Sequence, residues 1–120
     1  MTMWKMVLEN ESEGVDFNLY QKLAQRTSAT TTSIDKIANG LMGMNGESGE
    51  ALDILKKYWF QGHELDVEKI IEEAGDVLWY IAELCSGLGI TVEDLARHNI
   101  EKLYDRYPDG FEVDKSVNRE

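Results

Sequence analysis

The sequence predicts an all-α protein, a four-helix bundle-like fold, on three observations. Four stretches repeat apolar residues at the 3.6-residue period of a helix, the connections between them are short, and the one proline, Pro108, follows the last of them. A chain of 120 residues falls within the usual size of one domain. Residues 1–120 therefore read as one unit with its core at about 16–111, flanked by a flexible acidic N-terminal leader and a flexible charged C-terminal tail.

The first helix is expected from about Asp16, its N-cap, to Ala29, with Phe17, Tyr20, Leu23 and Ala24 on one face. The second begins after Ser33 and runs to about Tyr58, with Ile34, Ile37, Leu41, Met44, Ala51, Ile54 and Leu55 carrying the period. It contains Gly40, Gly43, Gly46 and Gly49, each of which weakens a helix interior by about 0.5–1 kcal/mol relative to alanine. Such a helix needs something close against its backbone, another helix or a ligand, or else it kinks near Asn45-Gly46. The third helix is expected from its N-cap Asp66 to about Ser86, stopped by Gly87 and Gly89. The fourth opens with Thr91 and Asp94 at capping-box spacing and ends before Pro108.

A formal charge of −11 disfavours binding to nucleic acid or to an anionic membrane surface. A phosphate ester could approach such a chain only through divalent cations held by carboxylates. Cys85 is alone in an apolar helical context and reads as a small core residue, so nothing argues for an oxidising compartment. No stretch approaches the ~18–20 apolar residues of a membrane span. The expected location is the cytoplasm.

Two carboxylate pairs carry the candidate chemistry. Residues three apart on a helix share a face with Cβ atoms about 5–6 Å apart, so Glu47 with Glu50, and Glu73 with Asp76, can each grip one cation. Facing each other, the pairs form an all-oxygen cup suited to a hard ion, Mg²⁺ or Mn²⁺. Spacing alone also fits the solvated stripe of two amphipathic helices, because an acidic chain of this composition yields about four such pairs by chance. Glu73 and Asp76, however, sit inside the apolar run IIEEAGDVLWYIAEL, where charge is costly unless paired or metal-bound. A ferritin-like di-iron site is disfavoured, because neither His63 nor His98 follows a glutamate by three residues.

On the fourth helix Asn99, Lys102 and Arg106 fall at i, i+3 and i+7. Such a stripe suits a polyphosphate and a base or sugar edge, and equally a surface salt-bridge row. Trp79 and Tyr80 read as core or interface aromatics, with base stacking as the alternative.

The stretch GESGEALDILKKYWFQGHELDVEKIIEEAGDVLWYIAEL and the later NIEKLYDRYPDGF resemble the MazG-type nucleoside triphosphate pyrophosphohydrolases of the all-α NTP pyrophosphatase superfamily. The resemblance spans roughly Asp16 to Phe111. It rests on Glu-x-x-Glu and Glu-x-x-Asp in order with Gly-Asp-Val-Leu-Trp-Tyr and Arg-Tyr-Pro-Asp-Gly-Phe. It implies Mg²⁺-dependent hydrolysis of a (deoxy)nucleoside triphosphate at the α–β bond, giving the monophosphate and pyrophosphate, with Mn²⁺ as a substitute ion. Glu47, Glu50, Glu73 and Asp76 take the metal positions, Glu47 and Glu50 the catalytic ones, with Glu47 favoured as base. Lys69, Lys102 and Arg106 match the family's basic substrate contacts, and Asn99 and Tyr80 its nucleoside contacts. Family members form homodimers or homotetramers, which is expected here too. The chain departs from the larger members in being one module, and Gly43 stands where some relatives carry a basic residue. The competing class is a non-catalytic helical oligomerisation or partner-binding module.

Overall fold

The computed structural model describes Lys5, Leu8 and residues 14–119, and the acidic leader up to Glu13 lies outside them. Five helices with defined bounds follow in order: α1 Phe17–Gln25, α2 Ser33–Phe60, α3 Val67–Leu88, α4 Val92–Arg106 and α5 Val113–Val117. Among the described residues there is no strand, as an all-α chain requires. Among the described residues no helix is long and apolar enough to cross a membrane.

Local capping accounts for the boundaries. The Asp16 carboxylate accepts from the Leu19 N–H at 2.7 Å, and that of Asp66 from the Lys69 N–H at 3.1 Å. Thr91 and Asp94 close the expected reciprocal box at 2.9 and 3.0 Å. Three details differ from expectation. Helix α1 ends at Gln25 rather than Ala29, because the Thr27 hydroxyl turns back to the Ala24 carbonyl and Ser28 and Thr30 bond elsewhere. Gly87 lies inside α3, and the stop is Gly89 at φ +73°, with the Ile90 N–H donating to the Cys85 carbonyl at 3.0 Å. A short helix, α5, also interrupts the charged tail.

Helix α2 passes through Asn45-Gly46 without a break. It pairs antiparallel with α3, and the glycines explain how closely. A Cβ on Gly40 would lie 2.8 Å from the Leu84 backbone nitrogen, and one on Gly43 would collide with the Tyr80 ring. From the other side, a Cβ on Gly87 would lie 2.9 Å from the Ser33 carbonyl oxygen. Helices α1 and α4 pack on α3, enclosing Ala24, Ala82, Cys85 and Val92 together with Tyr20, Trp79, Ile81 and Ile90. Cys85 is thus the core residue expected, and the Trp79 indole donates to the Ala24 carbonyl and the Thr27 hydroxyl.

Glu83 joins the elements. Its carboxylate is fully buried and accepts from Asn39 at 2.7 Å, Ser28 at 2.7 Å, Gln25 at 3.0 Å and Thr30 at 3.1 Å, with Lys36 Nζ at 3.4 Å. Burial opposes its ionisation, but the hydrogen bonds from Asn39, Gln25, Ser28 and Thr30 outweigh it and hold the group at about 2. A carboxyl whose folded value lies below its ordinary 4.5 stabilises the fold above pH 4.5 and loses that contribution as pH falls from 4.5 towards 2.

Urea unfolding across that range should find Glu83→Gln destabilised by about 2–4 kcal/mol at pH 7. The deficit should shrink as the pH falls from 4.5 towards 2; a deficit that stays constant there would contradict the clasp. Gly40→Ala should lower the melting temperature despite the roughly 1 kcal/mol that alanine normally gains in a helix interior.

Candidate active site

Because α2 and α3 are antiparallel and closely packed, Glu47 of α2 comes opposite Glu73 and Asp76 of α3. One carboxylate oxygen from each lies within 4.8 Å of the others. Glu73 is 9% exposed, Glu47 is half-buried and Asp76 is exposed. A hydrogen bond to Glu73, then burial, then the charges of Glu73, Asp76 and Glu50 push the Glu47 carboxyl up to about 7. Burial and then the Asp76 charge push the Tyr20 phenol of α1 upward as well.

The donor set fits a hard divalent cation. It is oxygen only, it spans both helices, and its three oxygens converge from Glu47, Glu73 and Asp76. It also answers the crowding, since a 2+ charge among three carboxylates removes the repulsion that now favours protonated Glu47. Glu50 stands one turn along α2 and outside this group of three.

Glu50 instead lines an adjoining cavity of about 430 Å³ between α2 and the first turns of α3. Asp53, Ile54 and Lys57 continue its α2 wall, Gly46 and Gly49 leave that wall bare, and Lys69 and Glu73 come from α3. Lys69 thus lies one helical turn from Glu73 on the shared face, as the motif implies. Lys57 and Asp53 were not singled out in the sequence. Their signal was present, because Glu50, Asp53 and Lys57 fall at i, i+3 and i+7.

The stripe on α4 goes elsewhere. Asn99 and Lys102 line a separate, largely apolar cavity of about 660 Å³ with Phe17 of α1 and Leu78 and Ile81 of α3. Leu78 is two residues beyond Asp76 and hence about 200° around the helix, so α4 packs on the face of α3 turned away from the carboxylates. Arg106 is half-buried and lines neither cavity. The Tyr80 ring fills the α2–α3 seam against Gly43 and meets Trp79 edge-on, with centroids 5.0 Å apart. A basic side chain at position 43 would displace that ring.

The chain is similar to Gene 37 protein of Mycobacterium phage L5, 29% identical over 91 residues that cover 72% of this chain and 80% of that protein. No solved structure gives a significant match. The MazG nucleotide pyrophosphohydrolase domain matches residues 34–111, from the first turn of α2 to the Arg-Tyr-Pro-Asp-Gly-Phe segment, and includes all four motif carboxylates. Since that match covers well over half of the chain and carries the seam in which the carboxylates meet, the chain belongs to the MazG nucleotide pyrophosphohydrolase family.

Proposed function

We propose that the chain hydrolyses (deoxy)nucleoside triphosphates at the α–β phosphate bond, releasing the monophosphate and pyrophosphate, with Mg²⁺ held by Glu47, Glu50, Glu73 and Asp76. The observation that carries this reading is the convergence of Glu47, Glu73 and Asp76 beside a cavity bearing lysines. Mg²⁺, or Mn²⁺ in its place, would supply charge neutralisation for a substrate of about four negative charges and polarise the attacked phosphorus. Glu47 Oε accepts the proton of the attacking water, and Glu50 helps to orient that water. The Lys69 ammonium binds phosphate oxygens.

Tyr80, Asn99, Lys102 and Arg106 complete the proposed substrate contacts. Asn99 and Lys102 line a cavity other than the carboxylate one within a protomer, so a homodimer or homotetramer belongs to this reading. Supporting it, Leu52, Trp59, Phe60 and Ile71 on the α2–α3 hairpin are all more than 60% exposed. The reading places the protein in the cytoplasm, acting on free nucleotides rather than nucleic acid.

The test is a panel of the eight common nucleoside and deoxynucleoside triphosphates with Mg²⁺, scored for pyrophosphate against orthophosphate. Pyrophosphate with monophosphate is expected; orthophosphate alone indicates a phosphatase, and no product from any nucleotide favours the non-catalytic module. Glu50→Gln and Asp76→Asn should each lower turnover about 100-fold or more with unchanged helical circular dichroism. Near-normal Mg²⁺-supported activity in either would refute the site. Sedimentation should find a dimer or tetramer that Trp59→Glu shifts towards monomer, and a wild-type monomer at micromolar concentration would contradict the assembly.

A further inference from the structure

The second helix carries four glycines at three-residue spacing, and only two of them serve its packing. Gly40 and Gly43 are pressed against Leu84 and Tyr80, whereas a Cβ on Gly46 or Gly49 would meet nothing within 4 Å. Those two weaken the helix without a packing return. Both line the cavity of about 430 Å³ beside the carboxylates. Along that cavity Glu50, Asp53 and Lys57 occupy successive turns of α2, a run of about 10 Å, while Lys69 and Glu73 line it from α3. Glu50 and Glu73 therefore mark the end towards Glu47, and the Lys57 and Lys69 ammonium groups, with Asp53 beside Lys57, the end towards the turn between the helices.

We infer that this cavity takes the diphosphate end of the substrate, the part that leaves as pyrophosphate, and that Lys57 binds it together with Lys69. The inference rests on the proposed hydrolysis and gives the substrate a direction: the α-phosphate lies at the Glu47, Glu73 and Asp76 cluster and the terminal phosphate points to the helix turn. Asp53 steers Lys57, with its carboxylate 3.1 Å from Lys57 Nζ. An ammonium has three donors, so that ion pair leaves protons free for phosphate oxygens. Gly46 and Gly49 give those oxygens room against the α2 wall. Glu50, Asp53 and Glu73 outnumber the two lysines, so the diphosphate enters as its metal complex.

The test is calorimetric titration of the full chain with inorganic pyrophosphate in Mg²⁺, beside separate titrations with nucleoside monophosphate and with Mn²⁺ alone. Lys57→Met should weaken pyrophosphate binding about tenfold, leave monophosphate and Mn²⁺ binding unchanged, and be largely rescued by Lys57→Arg. Gly46→Ala and Gly49→Ala should melt at the same or a higher temperature than wild type and yet bind pyrophosphate more weakly, a combination that a structural role for these glycines does not produce. Wild-type protein that binds no pyrophosphate, or Lys57→Met and Gly46→Ala proteins that bind it as wild type does, overturns the inference. Should the chain cleave no nucleotide and still bind pyrophosphate through Lys57, the hydrolase reading falls and the subsite stands.

Discussion

Where Gly40 and Gly43 of α2 meet Leu84 and Tyr80 of α3, and Gly87 of α3 meets the backbone of Ser33 and Ile37, two helices run closer than side chains on both would permit. The carboxylates of the candidate site depend on that approach. Glu47 and Glu73 are 26 residues apart in sequence, and only the antiparallel seam brings their oxygens within reach of one ion. The glycines therefore exchange local helix stability for interhelical distance, and tertiary contact must supply the difference.

The same seam treats two acidic groups in opposite ways. Glu83, two turns beyond Asp76, is surrounded by donors from Gln25, Ser28, Thr30, Lys36 and Asn39, and its charge is satisfied entirely within the protein. Glu47 stands among other carboxylates, and a hydrogen bond to Glu73, burial and the neighbouring charges push it up to about 7, so that a proton or a cation there relieves the repulsion. The first arrangement ties α1, α2 and α3 into one frame. The second leaves at one point of that frame a demand for positive charge, which is what a site for a metal-bound anion requires.

Local chemistry was readable from the sequence. Asp16, Asp66 and the Thr91–Asp94 box start their helices as expected, because a cap hydrogen bond joins residues only three apart. The spacing suggested a cup of four carboxylates, and three of them, Glu47, Glu73 and Asp76, converge across the seam, while Glu50 lines the adjoining cavity instead. Less legible was the fate of α1 after Gln25. Thr27, Ser28 and Thr30 have side chains that compete for backbone and carboxylate partners; Thr27 turns back to Ala24, whereas Ser28 and Thr30 bond to Glu83, more than 50 residues away.

Helical class and helix caps were thus legible in residue order, because both rest on interactions within one or two turns. What each repeated feature is for depends on how the helices pack. Of four equivalent-looking glycines, two face a neighbouring helix and two face a cavity. Of the acidic residues on α3, Glu83 is a structural clasp, while Glu73 and Asp76 join Glu47. Asn99 and Lys102 on α4 turn to an apolar cavity instead of the carboxylates. The physical reason is common to all three: helical periodicity says which residues share a face, but not which face meets which neighbour.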